Sequence, residues 1–174
     1  MGLAGERSLN IEELTEAGTE ILKVLSDYHR APHREMLIDP VLFAYLRGRF
    51  GAVERQHHVS VYGSIRPKRI DFRIGGSNPV VLELAVRPPT GGGQLLGKPN
   101  TSELRKLCKV STTQAKLRAL LLIDLYSSNY TKDILTKSYE SIHAGPGKFE
   151  RNPVRVVYIH SSNKFSFGWS PFQQ

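Results

Sequence analysis

Asp71 and Glu83 are the residues whose types and spacing could do chemistry. Both lie in the stretch Lys68–Arg87, KRIDFRIGGSNPVVLELAVR. Ile70, Phe72 and Ile74 alternate with Arg69, Asp71 and Arg73, the period of a strand with one apolar face. Gly75 to Pro79 is a cluster of turn formers. Beyond it Val80, Leu82, Leu84 and Val86 share one face, and Val81, Glu83, Ala85 and Arg87 share the other. The pattern predicts a β-hairpin that brings Asp71 and Glu83 together on its non-core face. Two carboxylates held a few ångströms apart repel unless a cation lies between them. A hard divalent ion such as Mg²⁺ or Mn²⁺ accepts one or two carboxylates together with water and phosphate oxygens. It can then activate water and stabilise charge on a phosphodiester. The plainer alternative pairs Asp71 with Arg69 or Arg73, and Glu83 with a Lys or Arg of a neighbouring strand. Glu83 favours the first reading: it stands between Leu82 and Leu84, with Val81 and Ala85 on its own face, and a carboxylate buried there requires a strong partner.

An Asp on one strand, a short turn and an acid opening Glu-x-Lys on the next resembles the PD-(D/E)xK nuclease superfamily. The stretch Phe50–Gln56, FGAVERQ, is similar to the lead-in of its very-short-patch-repair-like branch. With the order of flanking elements, the resemblance extends over roughly Pro40 to Leu125. It implies a restriction-endonuclease-like core, Asp71 and Glu83 as metal ligands, Mg²⁺ or Mn²⁺ as cofactor, and nucleic acid, DNA before RNA, as substrate. The chain departs from the pattern at one place. Ala85 stands where the superfamily has its lysine, in Glu83-Leu84-Ala85. Arg87, two residues on along the same face, or Lys106 or Lys109 of the following helix, would have to supply that cation. If none does, the resemblance implies a nuclease fold that binds nucleic acid without cutting it.

Composition agrees with a polyanionic partner. The 174 residues carry 24 Lys and Arg against 16 Asp and Glu, a formal charge of +8, which favours nucleic acid. Arg66, Lys68, Arg69, Lys98, Arg105, Lys106 and Lys109 are the candidate phosphate contacts. Hydrophobic residues make up 40% and charged residues 23%, enough apolar surface for one globular domain over 1–174 with a flexible tail at 1–9. Cys108, the single cysteine, has no partner for an internal disulfide and suits a reducing cytoplasm. It reads as a small core residue. No apolar run approaches membrane-spanning length, and no secretory signal is visible.

The elements that must position the two acids follow in order. Asn10 and Glu13 have the spacing of a capping box, opening a helix with a stripe of Ile11, Leu14, Ile21, Leu22, Leu25 and Tyr28. Glu12, Glu13, Glu16 and Glu20 read as its solvated face, with one of them reaching the metal as the alternative. His29 and His33 are four apart, but Pro32 prevents the helix that would align them. Asp39-Pro40 is expected to open a second helix, which Gly51 ends. Val53–Tyr62 reads as a strand on which His57 and His58 point to opposite faces. After Arg87, Gly92–Lys98 spells G-x-x-x-x-G-K, and Leu120–Asp124 resembles the partner strand of a nucleotide-binding loop. Pro99 replaces the Mg²⁺-binding Ser or Thr, so nucleotide binding is a distant third reading. Asn100 and Glu103 suggest a capped helix carrying Leu104 and Leu107. Leu117–Leu125 has the continuous apolar run of a strand covered on both faces. Lys132–His143 reads as a helix. Val154–His160 and Lys164–Trp169 read as a hairpin with Phe165, Phe167 and Trp169 on one face, a possible homodimer surface. The expected whole is a single α/β domain, a mixed central sheet flanked by helices.

Overall fold

A computed structural model describes residues 9–27, 35–90 and 95–171. The elements run α1 (Ile11–Asp27), α2 (Glu35–Phe50), β1 (Val53–Val59), β2 (Lys68–Ile74), β3 (Val80–Arg87), α3 (Thr101–Leu107), β4 (Leu117–Asp124), α4 (Lys132–Glu140), β5 (Val154–His160) and β6 (Asn163–Trp169). The six strands form one sheet in chain order. β1–β2, β2–β3 and β5–β6 are antiparallel, whereas β3–β4 and β4–β5 are parallel. The parallel steps arise where α3 and α4 cross over the sheet, since a parallel pair requires a long connection. The fold is α/β with a mixed sheet, as the patterning predicts.

The sheet is covered on both faces. On one, Leu14, Ala17 and Ile21 of α1 and Ile38, Leu42 and Leu46 of α2 pack on Phe72, Leu82, Leu121 and Ile159. Gly18 permits the close approach of α1: a Cβ there would lie 2.8 Å from Ile159 Cγ1. On the other, Leu104 and Leu107 of α3 and Leu135 and Tyr139 of α4 pack on Val81, Ala85, Leu120 and Leu122. The face carrying Glu83 is therefore a core face along β3, as its apolar neighbours imply, whereas β2 keeps its charged face partly exposed. Phe167 and Trp169 are buried there, and the Trp169 indole N–H donates to the Tyr139 carbonyl at 3.0 Å. Two of the three aromatics thus pack within the fold, and Phe165 is half-buried beside them.

Local signals decide the helix ends unevenly. The α1 capping box forms as expected: Glu13 N–H donates to Asn10 Oδ1 at 2.9 Å, and Asn10 N–H to Glu13 Oε2 at 3.1 Å. Asp39 does not open α2, which begins at Glu35 with Pro40 inside it. Pro40 costs one backbone hydrogen bond, and Ile38, Leu42 and Leu46, all buried at four-residue spacing, offset it. Asn100 precedes α3 but does not cap it with its side chain. Its amide instead donates to Leu96 O and to the Tyr139 hydroxyl. Tyr28, His29 and His33 lie outside the described residues.

Candidate functional site

The site is built where the sheet opens. β2 and β3 pair at Ile74↔Val80, Arg73↔Val81 and Phe72↔Leu82, and the ladder stops there. The next step in that register sets Asp71 opposite Glu83, as a hairpin pairing predicts. The Asp71 carboxylate takes over part of the missing ladder: Oδ2 accepts the Leu84 N–H at 2.9 Å, and Oδ1 accepts Gln56 Nε2 at 3.4 Å. On β1 the pairing with β2 skips Gln56, which has a positive φ of 52°.

Glu83 is 2% exposed. Its Oε1 forms an ion pair with Lys106 Nζ, which also donates to the Arg69 carbonyl at 2.8 Å. Burial pushes the Glu83 carboxyl from 4.5 up to about 9; the Asp71 charge adds to this, and Lys106 acts against it. Asp71, Glu83 and Lys106 line one cavity of about 320 Å³, with Ala85 in its wall and Glu103 at its side. The helix lysine therefore arrives where the strand has a methyl group. A backbone hydrogen bond and an ion pair fix it there, on the last turn of a short helix.

The residues fit a hard cation. Two carboxylates share a cavity, one is buried, and Glu83 Oε1 has no hydrogen-bond partner beyond the ion pair. Among the described residues no cluster of three or more His, Cys, Asp or Glu groups forms a closed metal cage. An ion such as Mg²⁺ takes one or two carboxylates and keeps several waters and substrate phosphate oxygens.

A second groove, of about 410 Å³, adjoins the first and shares Glu103 and Lys106 with it. Lys68, Arg105 and Lys109 complete its basic lining. Arg105 Nε donates to His143 O at 2.7 Å, and Lys109 Nζ lies 3.3 Å from Pro146 O and 5.4 Å from the Phe149 ring centroid. Arg69 lines the carboxylate cavity. Arg66 and Lys98 are exposed but do not line the groove.

Arg87 is not brought to the acids. It is 6% exposed, and its guanidinium forms a two-pronged ion pair with Asp124. It also lies over the rings of Tyr126 and Tyr130, 4.8 and 4.1 Å from their centroids. Asp124 accepts the Tyr158 hydroxyl as well. The β3–β4 register pairs Arg87 with Asp124, so the nearest acid on the same face captures it. Arg118 is likewise withdrawn from the surface. It is buried on β4 and donates to the carbonyls of Cys108, Val110 and Asn152.

The remaining candidates have structural employment. Arg73 pairs with Glu54 at 3.0 Å, not with Asp71, and His57 Nδ1 lies 2.5 Å from the other Glu54 oxygen. Glu16 of α1 pairs with Arg49, and α1 packs on the sheet face opposite α3. Gly92 of the nucleotide-loop pattern lies outside the described residues. Gly97 packs: a Cβ there would sit 2.4 Å from the Ser138 carbonyl oxygen, and its N–H donates to Ser138 Oγ. Its amide is thus committed to α4. Cys108 is buried, which pushes its thiol up to about 11 and keeps it unreactive.

Two contributors were not legible as site residues. Gln56 has a side chain common on any surface, and its role depends on its backbone angle. Asp39 reads as a helix cap but is buried, which raises its carboxyl above the usual range; its ion pair with Arg55 acts against this, and the Asp71 charge adds to it. Compared with family models, curated proteins and solved structures, the chain matches none.

Proposed function

We propose that the chain is a nuclease-like phosphodiester hydrolase of the PD-(D/E)xK type, dependent on Mg²⁺ or Mn²⁺ and acting on nucleic acid, DNA before RNA, in the cytoplasm. The observation that carries this reading is Lys106. Its ammonium reaches the Asp71–Glu83 pair from α3 and supplies the charge that Ala85 lacks. The element order α2-β1-β2-β3-α3-β4 is the one by which the resemblance extends beyond its two acids.

Asp71 and Glu83 would hold the metal, which supplies an activated water and polarises the attacked phosphate. The chain's own residues do the rest. The Leu84 N–H and the Gln56 amide hold the Asp71 carboxylate in place. Lys106, anchored on the Arg69 carbonyl, provides positive charge beside the scissile phosphate, where negative charge grows in the transition state. Lys68, Arg105 and Lys109 hold neighbouring phosphates along the groove.

One observation favours a second reading, binding without cleavage. Lys106 Nζ sits against Glu83 Oε1, where a metal would bind, and a site closed in this way binds phosphates through the groove alone. A lysine exchange separates the two. Metal-dependent cleavage by the wild type should fall about a hundredfold or more in Lys106→Met. It should return in Lys106→Met/Ala85→Lys, where the ammonium comes from the strand instead. Salt-sensitive binding by a wild type that never cuts would select the second reading. A wild type that neither binds nor cuts nucleic acid would overturn both.

A further inference from the structure

We infer that Gln56 is the positioning residue of the cation site, a strained strand residue that aims the Asp71 carboxylate at Glu83. The inference rests on the metal-dependent reading of the site and goes beyond it by assigning a role to a neutral side chain on another strand.

Three observations converge on this position. Gln56 is the only non-glycine residue with positive φ among the described residues, at 52°. The β1–β2 ladder is regular at Arg55↔Phe72 and His57↔Ile70 but skips the step between them, where Gln56 faces Asp71. The β2–β3 ladder ends one step before Asp71. Asp71 is thus released from cross-strand backbone pairing on both sides, at the one place where its side chain must act. Gln56 Nε2 and the Leu84 N–H then hold one carboxylate oxygen each.

A left-handed glutamine costs stability that glycine at the same place would not, and such strain persists where the surroundings over-determine it. Groups that orient a ligand carboxylate are worth about tenfold or more in metal affinity. Donor and strain can be separated by two substitutions. Gln56→Gly removes both. Gln56→Met keeps length and strain but has no N–H to donate.

The test is titration of the metal-free chain with Mn²⁺ alone, followed calorimetrically, beside thermal melts without metal. Gln56→Gly should melt higher than wild type and Gln56→Met should not, yet both should bind Mn²⁺ about tenfold more weakly. Unchanged affinity in both variants would overturn the inference. So would affinity that follows melting temperature, because a purely structural residue behaves that way. A wild type with no Asp71-dependent Mn²⁺ binding would sink the metal reading itself, and the positioning role with it.

Discussion

Glu83 shows how a single carboxyl couples chemistry to stability. Its folded value of about 9 lies above the 4.5 of an unperturbed glutamate, because burial and Asp71 disfavour the charge. The native state therefore binds a proton that the unfolded chain releases. Stability from this group is full below about pH 4.5 and is lost as pH rises towards 9. Metal-free protein should melt progressively lower across that window, and Glu83→Gln should flatten the decline and melt higher at pH 8. The same variant should lose divalent-ion binding. Cation binding at neutral pH must displace the Glu83 proton. Calorimetry in buffers of different ionisation enthalpy should therefore report about one proton released per ion bound by wild type.

At the scale of elements, the parallel strands β3, β4 and β5 place two acids on one face of the sheet, with different fates. Glu83, mid-strand, meets a lysine from a helix, whereas Asp124, at a strand end, meets the arginine of its own register partner. Arg87 therefore acts as a clamp between strand ends. Arg87→Met should leave Asp124 buried without its cation and destabilise the fold by about 3 kcal/mol or more in chemical denaturation. Folded Arg87→Met should bind Mn²⁺ within about twofold of wild type, since its contacts lie outside the carboxylate cavity. A large loss of affinity without loss of stability would instead return Arg87 to the site. The hairpin, the apolar strand Leu117–Leu125 and the order of all ten elements were legible in the sequence, because periodicity reports which faces are covered. The start of α2 and the Asn100 cap were not. Local capping chemistry there yields to burial of Ile38, Leu42 and Leu46 and to the Tyr139 hydroxyl.

At the scale of the whole molecule, the α3 groove and the α1 surface differ in their charged lining. Lys68, Arg105, Lys106 and Lys109 line a groove at α3, on one face of the sheet. The exposed Glu12, Glu16 and Glu20 lie on α1, which covers the other. On the proposed reading, this arrangement would orient a polyanion before contact. If the groove holds phosphates, the logarithm of the DNA-binding constant should fall linearly with the logarithm of salt concentration. Lys68→Gln, Arg105→Gln and Lys109→Gln should each reduce that slope by about 0.9. Arg66→Gln and Lys98→Gln, outside the groove lining, should change it less. Among the described residues no helix is long and apolar enough to cross a membrane. By itself the sequence determined the α/β class, the strand faces and the facing of Asp71 and Glu83, because each follows from a period of two and a turn between paired strands. Tertiary structure alone decided which cation meets which acid. Arg87 is two residues from Ala85 in the chain, yet Asp124 holds it. Lys106 is 23 residues from Glu83, yet α3 folds it into the cavity. A side chain's partner depends on what the crossover brings near it, and neither residue type nor spacing encodes that distance.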